Sequence, residues 1–319
     1  MQDIERARRR IKLRDLHILL VIAQRGSMAK AAAELAVSQP AISRAVSDME
    51  HALGLRLFDR CRNGIELTAY GHALVRRGVS IFDELTQGLQ ELEFLADPSI
   101  GELRIGSTES IAAGLLPVAI DRFTRQHPGI RINVAQTVLS DLRYRELRER
   151  NIDLLLGWTP TPFDETDLAV EPLLDDRRVV VAGRRSKWAR ASRLELADLA
   201  DERWVLPPPD TFPGSAVAEM FGEFGMQTPS APVTTLSLHL CCRLAATGRF
   251  ITVLPGSVAP FAGGDLGLKV LPVQLPRAAA VSAAIVTLKG RTLGPTAEIF
   301  IACIREVATA AASKAAVRK

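Results

Sequence analysis

Histidine and cysteine are scarce in this 319-residue chain, and neither is spaced for chemistry. The histidines are His17, His51, His72, His127 and His239, and they form no metal-ligand pattern. The cysteines are Cys61, Cys241, Cys242 and Cys303. None belongs to a CxxC pair, and vicinal Cys241-Cys242 is awkward as a structural disulfide, so a reduced compartment is expected. They serve as small buried apolar residues, with redox sensing by Cys241 or Cys242 as the alternative. No nucleophile elbow, Walker loop or dinucleotide fingerprint occurs, and Gly101 to Gly106 is not GxGxxG. A Ser107–His239–Asp triad can be drawn only on paper. The chain is therefore expected not to be an enzyme and to need no metal or cofactor. No apolar run approaches the ~20 residues of a membrane span. Arg8-Arg9-Arg10 followed by Leu16 to Ala23 mimics a signal peptide, but the run is short and leads into Gln24-Arg25, not a cleavage site. A cytoplasmic protein without a membrane partner is expected.

What is present is unevenly placed. Residues 1–67 hold 12 Lys/Arg against 8 Asp/Glu, which accounts for the whole net charge of +4. A basic head on a neutral body suits one nucleic-acid-binding segment. Within that head, Ser27 to Leu53 has the form of two helices and a tight turn. Ser27 caps an Ala-rich helix over Met28–Leu35, Ala36-Val37-Ser38 breaks it, and Ser38 caps a second helix with Pro40 in its first turn. Ile42, Val46, Met49 and Leu53 make one buried stripe, with Pro40, Arg44, Ser47 and His51 opposite and Gln39 and Ser43 on the flank. This is the pattern of a helix-turn-helix. Leu13 to Arg25 precedes it as a helix with Leu13, Leu16, Leu20 and Ala23 on its packed face. Met1 to Lys12 is expected to be a charged, frayed tail whose Arg8, Arg9 and Arg10 are solvated or add a phosphate contact.

Leu55 to Thr68 changes period. Leu55, Leu57, Ile65 and Leu67 alternate with polar residues around Asn63-Gly64, which predicts a two-stranded wing. Its tip carries Arg60, Arg62 and Asn63, either a solvated basic turn or a reach to phosphates and the minor groove. Thr68 then caps a helix from Ala69 to about Leu95. Leu67, Leu74, Gly78, Ile81, Leu85, Gly88, Leu92 and Leu95 form a near-heptad seam on this rod of roughly 40 Å. Dimerisation is the expected use, and packing across the chain's own C-terminal part is the alternative. Asp97-Pro98-Ser99 is a hinge. From Gly101 strands and helices alternate, with strands at 103–106, 130–136 and 152–158 and helices at 115–126 and 141–150. Thr159 to Thr166 crosses to a second lobe, and Gly263-Gly264 and Gly267 mark the return. A domain entered, left and re-entered gives two lobes and a cleft.

The residues Ala31-Ala32, Leu35, Ser38-Gln39-Pro40-Ala41-Ile42-Ser43, Met49-Glu50, Leu53-Gly54, Leu57-Phe58-Asp59-Arg60, Leu67-Thr68 and Gly71 resemble the N-terminal domain of LysR-type transcriptional regulators. Gly101 to Gly106, Phe123 with His127-Pro128, Asn151-Ile152-Asp153-Leu154 and Gly248 to Pro255 are similar to the effector domain of that family. Most members carry a second Gly near Arg249 or Phe250. The sugar-responsive subgroup related to the galactose-binding-protein regulator is the first to compare. The resemblance implies an all-α winged helix-turn-helix (13–68), a linker helix (69–96), a hinge (97–100) and an α/β two-lobed, periplasmic-binding-protein-like effector domain (101–319). Lobe I is placed at about 101–160 and 268–319, and lobe II at about 161–267. It further implies a homotetramer on double-stranded promoter DNA that responds to a small molecule. RNA polymerase stands as a further candidate partner. An oligomerisation module without a ligand is the alternative for the C-terminal part.

Carried over as DNA contacts are Gln39, Pro40, Ser43, Arg44 and Ser47 on the recognition helix, Ser27 and Ser38 at caps, and Arg60 and Arg62 in the wing. The chemistry fits. Gln39 can pair bidentately with adenine, Arg44 can reach guanine or phosphate, and Pro40 can touch a thymine methyl. For the effector, Ser107, Thr108 and Ser140 of one lobe and Thr211 and Ser237 of the other are the candidates. Hydroxyls beside helix N-termini favour a carboxylate or phosphate, and the lack of an Arg/Lys cluster leaves a sugar open. Plain N-capping is the competing role for each serine.

Overall fold

The computed structural model describes residues 2–61, 64–137, 144–159, 163–259, 266–275 and 282–317. Two compact units divide at Leu89–Gln90. In the first, α1 (Gln2–Arg10), α2 (Leu13–Arg25), α3 (Met28–Glu34) and α4 (Gln39–Leu53) precede the hairpin β1 (Phe58–Cys61) and β2 (Gly64–Leu67). Helix α5 (Ala69–Ala96) follows. Leu19, Ile22, Ile42, Met49 and Leu57 are fully buried in one core, and Leu53 is half-buried at its edge.

Four local expectations change. The tail is helical: α1 lies beside α4, and its last turn carries Arg8, Arg9 and Arg10, cations that favour a helix C-terminus. The packed face of α2 is Leu16, Ile18, Leu19, Val21 and Ile22, while Leu13 is 48% exposed. Two neighbours widen that face, because Leu20 meets α5 at Gly78 and His17 stacks near Phe82. In the wing, pairing starts at Phe58↔Leu67, so Leu57 precedes the strand and Leu55 is exposed. The seam of α5 is divided. Leu67 and Leu74 pack on the first unit's core and Gly78 on Leu20, whereas Ile81, Leu85, Leu89, Leu92 and Leu95 are exposed.

The second unit contains two five-stranded sheets. The first is built from β3 (Ile100–Ser107), β4 (Gly129–Gln136), β5 (Leu154–Thr159), β6 (Leu168–Asp175) and β12 (Ser282–Leu288) in the order β4-β3-β5-β12-β6. β3 runs parallel to β4 and β5, and β12 is antiparallel to β5 and β6. Helices α6 (Glu109–Ala113), α7 (Leu115–Gln126), α8 (Arg145–Arg148) and the terminal helix α11 (Pro295–Val317) accompany it. Phe123, Phe300, Ile105 and Ile304 centre its core. The second sheet joins β7 (Arg178–Gly183), β8 (Trp204–Leu206), β9 (Val233–Thr234), β10 (Ile251–Pro255) and β11 (Leu268–Val270) in the order β11-β7-β10-β8-β9. Helix α9 (Phe212–Gly222) packs on it around Trp204 and Phe221, and α10 (Leu238–Ala246) packs separately, against Val181, Val205 and Leu254.

Sheet membership moves the lobe boundaries. β6 pairs with β12, so the chain still belongs to lobe I until Asp175. β11 pairs with β7, and Leu271 packs in the second core, so lobe II extends past Gly267. The crossing expected at 159–166 therefore falls after β6. The return falls between Leu275 and Ser282, and residues 276–281 lie outside the described residues. The expected helix at 141–150 is helical only over Arg145–Arg148; Arg150 has φ 61°, which ends it. Its first three residues lie outside the described set.

Candidate functional site

In the first unit the helix-turn-helix is assembled from backbone bonds and one unusual turn. Ser27 Oγ accepts from Lys30 N, capping α3. Ala36 sits at φ 53°, and Val37 N donates to Ala32 O, which turns the chain sharply into α4. Ser38 occupies the N-cap position of α4, but its hydroxyl caps nothing. Pro40 has no N–H to offer it, and Ala41 N already donates to Ser38 O. That hydroxyl therefore stays uncommitted on the surface.

Opposite the buried Ile42–Val46–Met49 stripe, Gln39, Pro40, Ser43, Arg44 and Ser47 are all exposed. Among the described residues, the side chains of Gln39, Ser43, Arg44 and Ser47 make no hydrogen bond or ion pair. The helix thus presents an uncommitted polar face. At its far end, Glu50 Oε1 accepts from Leu57 N at 2.7 Å and Phe58 N at 3.3 Å, fixing the start of the wing to α4. Glu50 belongs to the motif that carries the resemblance, yet its structural task could not be read from it. Arg60 lies on β1 opposite Ile65, and Arg62 lies outside the described residues. Thr68 Oγ1 accepts from Gly71 N at 3.0 Å and starts α5. A Cβ on Gly71 would stand 2.2 Å from Leu57 O, so only glycine permits this approach of α5 to the wing.

The second unit holds a cavity of about 210 Å³ between its lobes. Lobe I contributes Thr108, Glu109, Ser110, Gln136, Thr137 and Trp158. Lobe II contributes the β7 start at Asp176 and Arg178, the first turns of α9 and α10, and the end of β10. Of the four described hydroxyl residues expected to hold an effector, only Thr108 lines it. Ser107 shares a strand face with Leu103 and Ile105, so it points into the lobe I core and is fully buried. Thr211 accepts from Gly214 N at 3.2 Å and donates to Pro208 O at 2.6 Å. Ser237 accepts from Leu240 N at 3.3 Å. Both are N-caps whose oxygens are taken up by their own helices. Ser140 lies outside the described residues.

Sequence reasoning missed the groups that do face the cavity. Trp158 Nε1 donates to Ser110 Oγ at 2.6 Å, which fixes the indole as one wall. Glu109 reaches from lobe I to lobe II, where its Oε1 accepts from Leu238 N at 2.8 Å and His239 N at 3.4 Å. It thereby occupies the α10 N-terminus with the protein's own carboxylate. Asp176 accepts from Ser257 N at 2.9 Å and from the Ser257 hydroxyl, and burial pushes its carboxyl above the usual range. Burial also pulls the Arg178 guanidinium below its ordinary value, against the pull of Glu219, Glu223 and Asp176. Cys241 touches the cavity, and burial pushes its thiol up to about 11. Among the described residues, no group of three or more His, Cys, Asp or Glu is placed to hold a metal ion. No helix there is long and apolar enough to cross a membrane.

Comparison with known proteins decides the family. Residues 13–72 match the model for the bacterial regulatory helix-turn-helix protein, lysR family, and residues 96–309 match the LysR substrate binding domain. The chain belongs to the LysR family of transcriptional regulators. Two similar relatives are the HTH-type transcriptional regulators GbpR of Azospirillum brasilense and of Rhizobium radiobacter. The first is 28% identical over 93% of this chain and 86% of that one. The second is 30% identical over 78% of this chain and 83% of that one. Among solved structures, full-length CbnR complexed with its target DNA shares the fold at a TM-score of 0.55. It has 22% identity, and the match covers 93% of this chain and 100% of that one. The regulator is a DNA-binding, effector-responsive protein and not an enzyme.

Proposed function

We propose that this LysR regulator reads its operator with the exposed face of α4 and senses its effector in the cavity between the lobes of the second unit. The observation that carries the DNA assignment is the uncommitted face of Gln39, Ser43, Arg44 and Ser47 on a helix whose opposite face is the core. Ser38 adds a free hydroxyl at the same helix end, suited to a phosphate oxygen. Ser27 and Pro40 flank this surface, and Arg60, on β1, is the wing's candidate contact. Arg62, outside the described residues, is the second candidate contact from that stretch of sequence.

The exposed leucines of α5 support a dimer in which a second copy covers that stripe, with the tetramer as the further assembly. Paired recognition helices then address half-sites about one turn, ~34 Å, apart. RNA polymerase as a partner and a cytoplasmic location are proposed on the family role alone. Kinship with the two GbpR regulators supports the subgroup named from the sequence. That kinship is to the regulators and does not carry over their ligand, and the lining of this cavity favours a ligand more apolar than a sugar.

The test is a gel-shift titration of Arg44→Ala against wild type on the promoter fragment beside its own gene, at fixed salt. Affinity falls by about 1–3 kcal/mol, roughly 5- to 150-fold, if Arg44 reads a base. Unchanged binding removes Arg44 from the interface.

A further inference from the structure

Every polar group at the cavity wall can be asked whether it is already satisfied. The α9 N-terminus offers a ligand little, since Pro213 has no N–H and Gly214 N is bonded to Thr211. The α10 N-terminus is held by Ser237 and, across the cleft, by Glu109. Thr252 donates to Val205 O at 2.7 Å, Ser110 accepts from Trp158, and Asp176 is engaged by Ser257. Three groups are left over, the first being the exposed Gln136 side-chain amide, which makes no hydrogen bond among the described residues. The Thr137 hydroxyl is buried with no partner among the described residues. Arg178 lines the cavity from the start of β7, opposite Pro255, and makes no hydrogen bond or ion pair among the described residues. Trp158, Phe212, Val217, Leu236, Leu238 and Leu254 supply a largely apolar remainder.

A sugar would bring several hydroxyls to walls whose polar atoms are mostly engaged, leaving buried groups unpaired. A dianion would set its second charge in a cavity that already contains the Glu109 carboxylate. One charge and an apolar body fit what is free.

Resting on the reading of this cavity as the effector site, we propose that the effector is a monoanion with an apolar body. Its head pairs with Arg178, and one of its acceptors meets the Thr137 hydroxyl. Glu109 excludes a second anionic group. Partial burial of the guanidinium strengthens such a pair, because an anion entering the site restores the interaction that desolvation removed.

Isothermal titration of the full-length protein tests this with four probes: phenylacetate, phenylacetamide, the dianion homophthalate, and D-galactose. Phenylacetate binds; the amide and homophthalate bind at least about tenfold more weakly, and galactose does not bind. Arg178→Gln weakens phenylacetate about 10- to 100-fold, the range of a charge-assisted pair, and Arg178→Lys retains part of the affinity. Glu109→Gln brings homophthalate to within about threefold of phenylacetate. Circular dichroism and operator binding check that each variant is folded. Phenylacetate affinity indifferent to Arg178→Gln, galactose binding that survives it, or no binding by any charged probe overturns the proposal. The cavity-filling variant Val217→Trp separates the two readings. Loss of whichever probe binds keeps the cavity as the site, and binding that persists removes the cavity as well.

Discussion

Asp153 offers a decisive test of how the second unit holds its first sheet together. Its Oδ1 accepts from Arg104 Nη2 at 2.6 Å and Arg291 Nη2 at 2.9 Å, and its Oδ2 accepts from Arg104 N at 2.9 Å. The Arg291 side chain is 0% exposed, and its Nη1 donates to Ile152 O at 2.6 Å. The carboxylate thus ties β3 to the entry of β5 and neutralises a cation that water cannot reach. Asp153→Asn keeps the size and one acceptor for Arg104 N but removes the Asp153 charge from beside the buried Arg291 guanidinium. Breaking such a pair from one side costs about 3–5 kcal/mol, a large part of the ~5–15 kcal/mol that holds a domain. At about 2–4 °C per kcal/mol for a unit of this size, its unfolding transition falls by roughly 6–20 °C. Replacing Arg291 as well, in Asp153→Asn/Arg291→Met, returns at least half of the loss, since a buried pair exchanged for apolar packing is often close to neutral. Differential scanning calorimetry of the full-length protein measures both. A loss below about 1 kcal/mol in the single variant, or a double variant less stable than the single, refutes the reasoning.

Two further perturbations follow from the structure. Leu89→Glu/Leu92→Glu puts charges into the exposed stripe of α5, where the two leucines are 54% and 64% exposed. Sedimentation then shows monomers and operator affinity falls sharply, and an unchanged mass places the dimer contact elsewhere. With its thiol raised to about 11, Cys241 has about one part in a thousand as thiolate at pH 8, where an ordinary cysteine has roughly a quarter. Ionisation only becomes appreciable as pH rises toward that value. Iodoacetamide at pH 8 therefore labels half-exposed Cys61 first and spares Cys241 and Cys242 until the protein is denatured. Equal rates at all sites remove burial as the reason these thiols are quiet.

The helix-turn-helix was legible because its determinants are local. A 3.6-residue apolar repeat, Pro40 in a first turn, and Gly26 and Gly54 in left-handed caps are all properties of short stretches. The same local reading failed where a hydroxyl had two available uses. Ser107, Thr211 and Ser237 stand near the cleft in sequence terms, but one faces a core and two cap helices. Glu109, Thr137, Trp158 and Arg178 carry no motif between them. They come from the start of a short helix, a strand exit and two separated strands, and nothing in their neighbours marks them.

Sequence by itself determined the family, the two-part organisation, and the face of α4 that is free to meet DNA. The family came from motif residues that resemble a known pattern, whereas the face of α4 opposite the core rests on the period of apolar residues along one segment, which survives without knowledge of partners. Tertiary structure alone decided which sheet β6 and β11 join, how the seam of α5 divides, and which polar groups at the cavity remain unsatisfied. These depend on contacts between residues distant in the chain. The Glu109 carboxylate at the N-terminus of α10, more than a hundred residues away, is the plainest case.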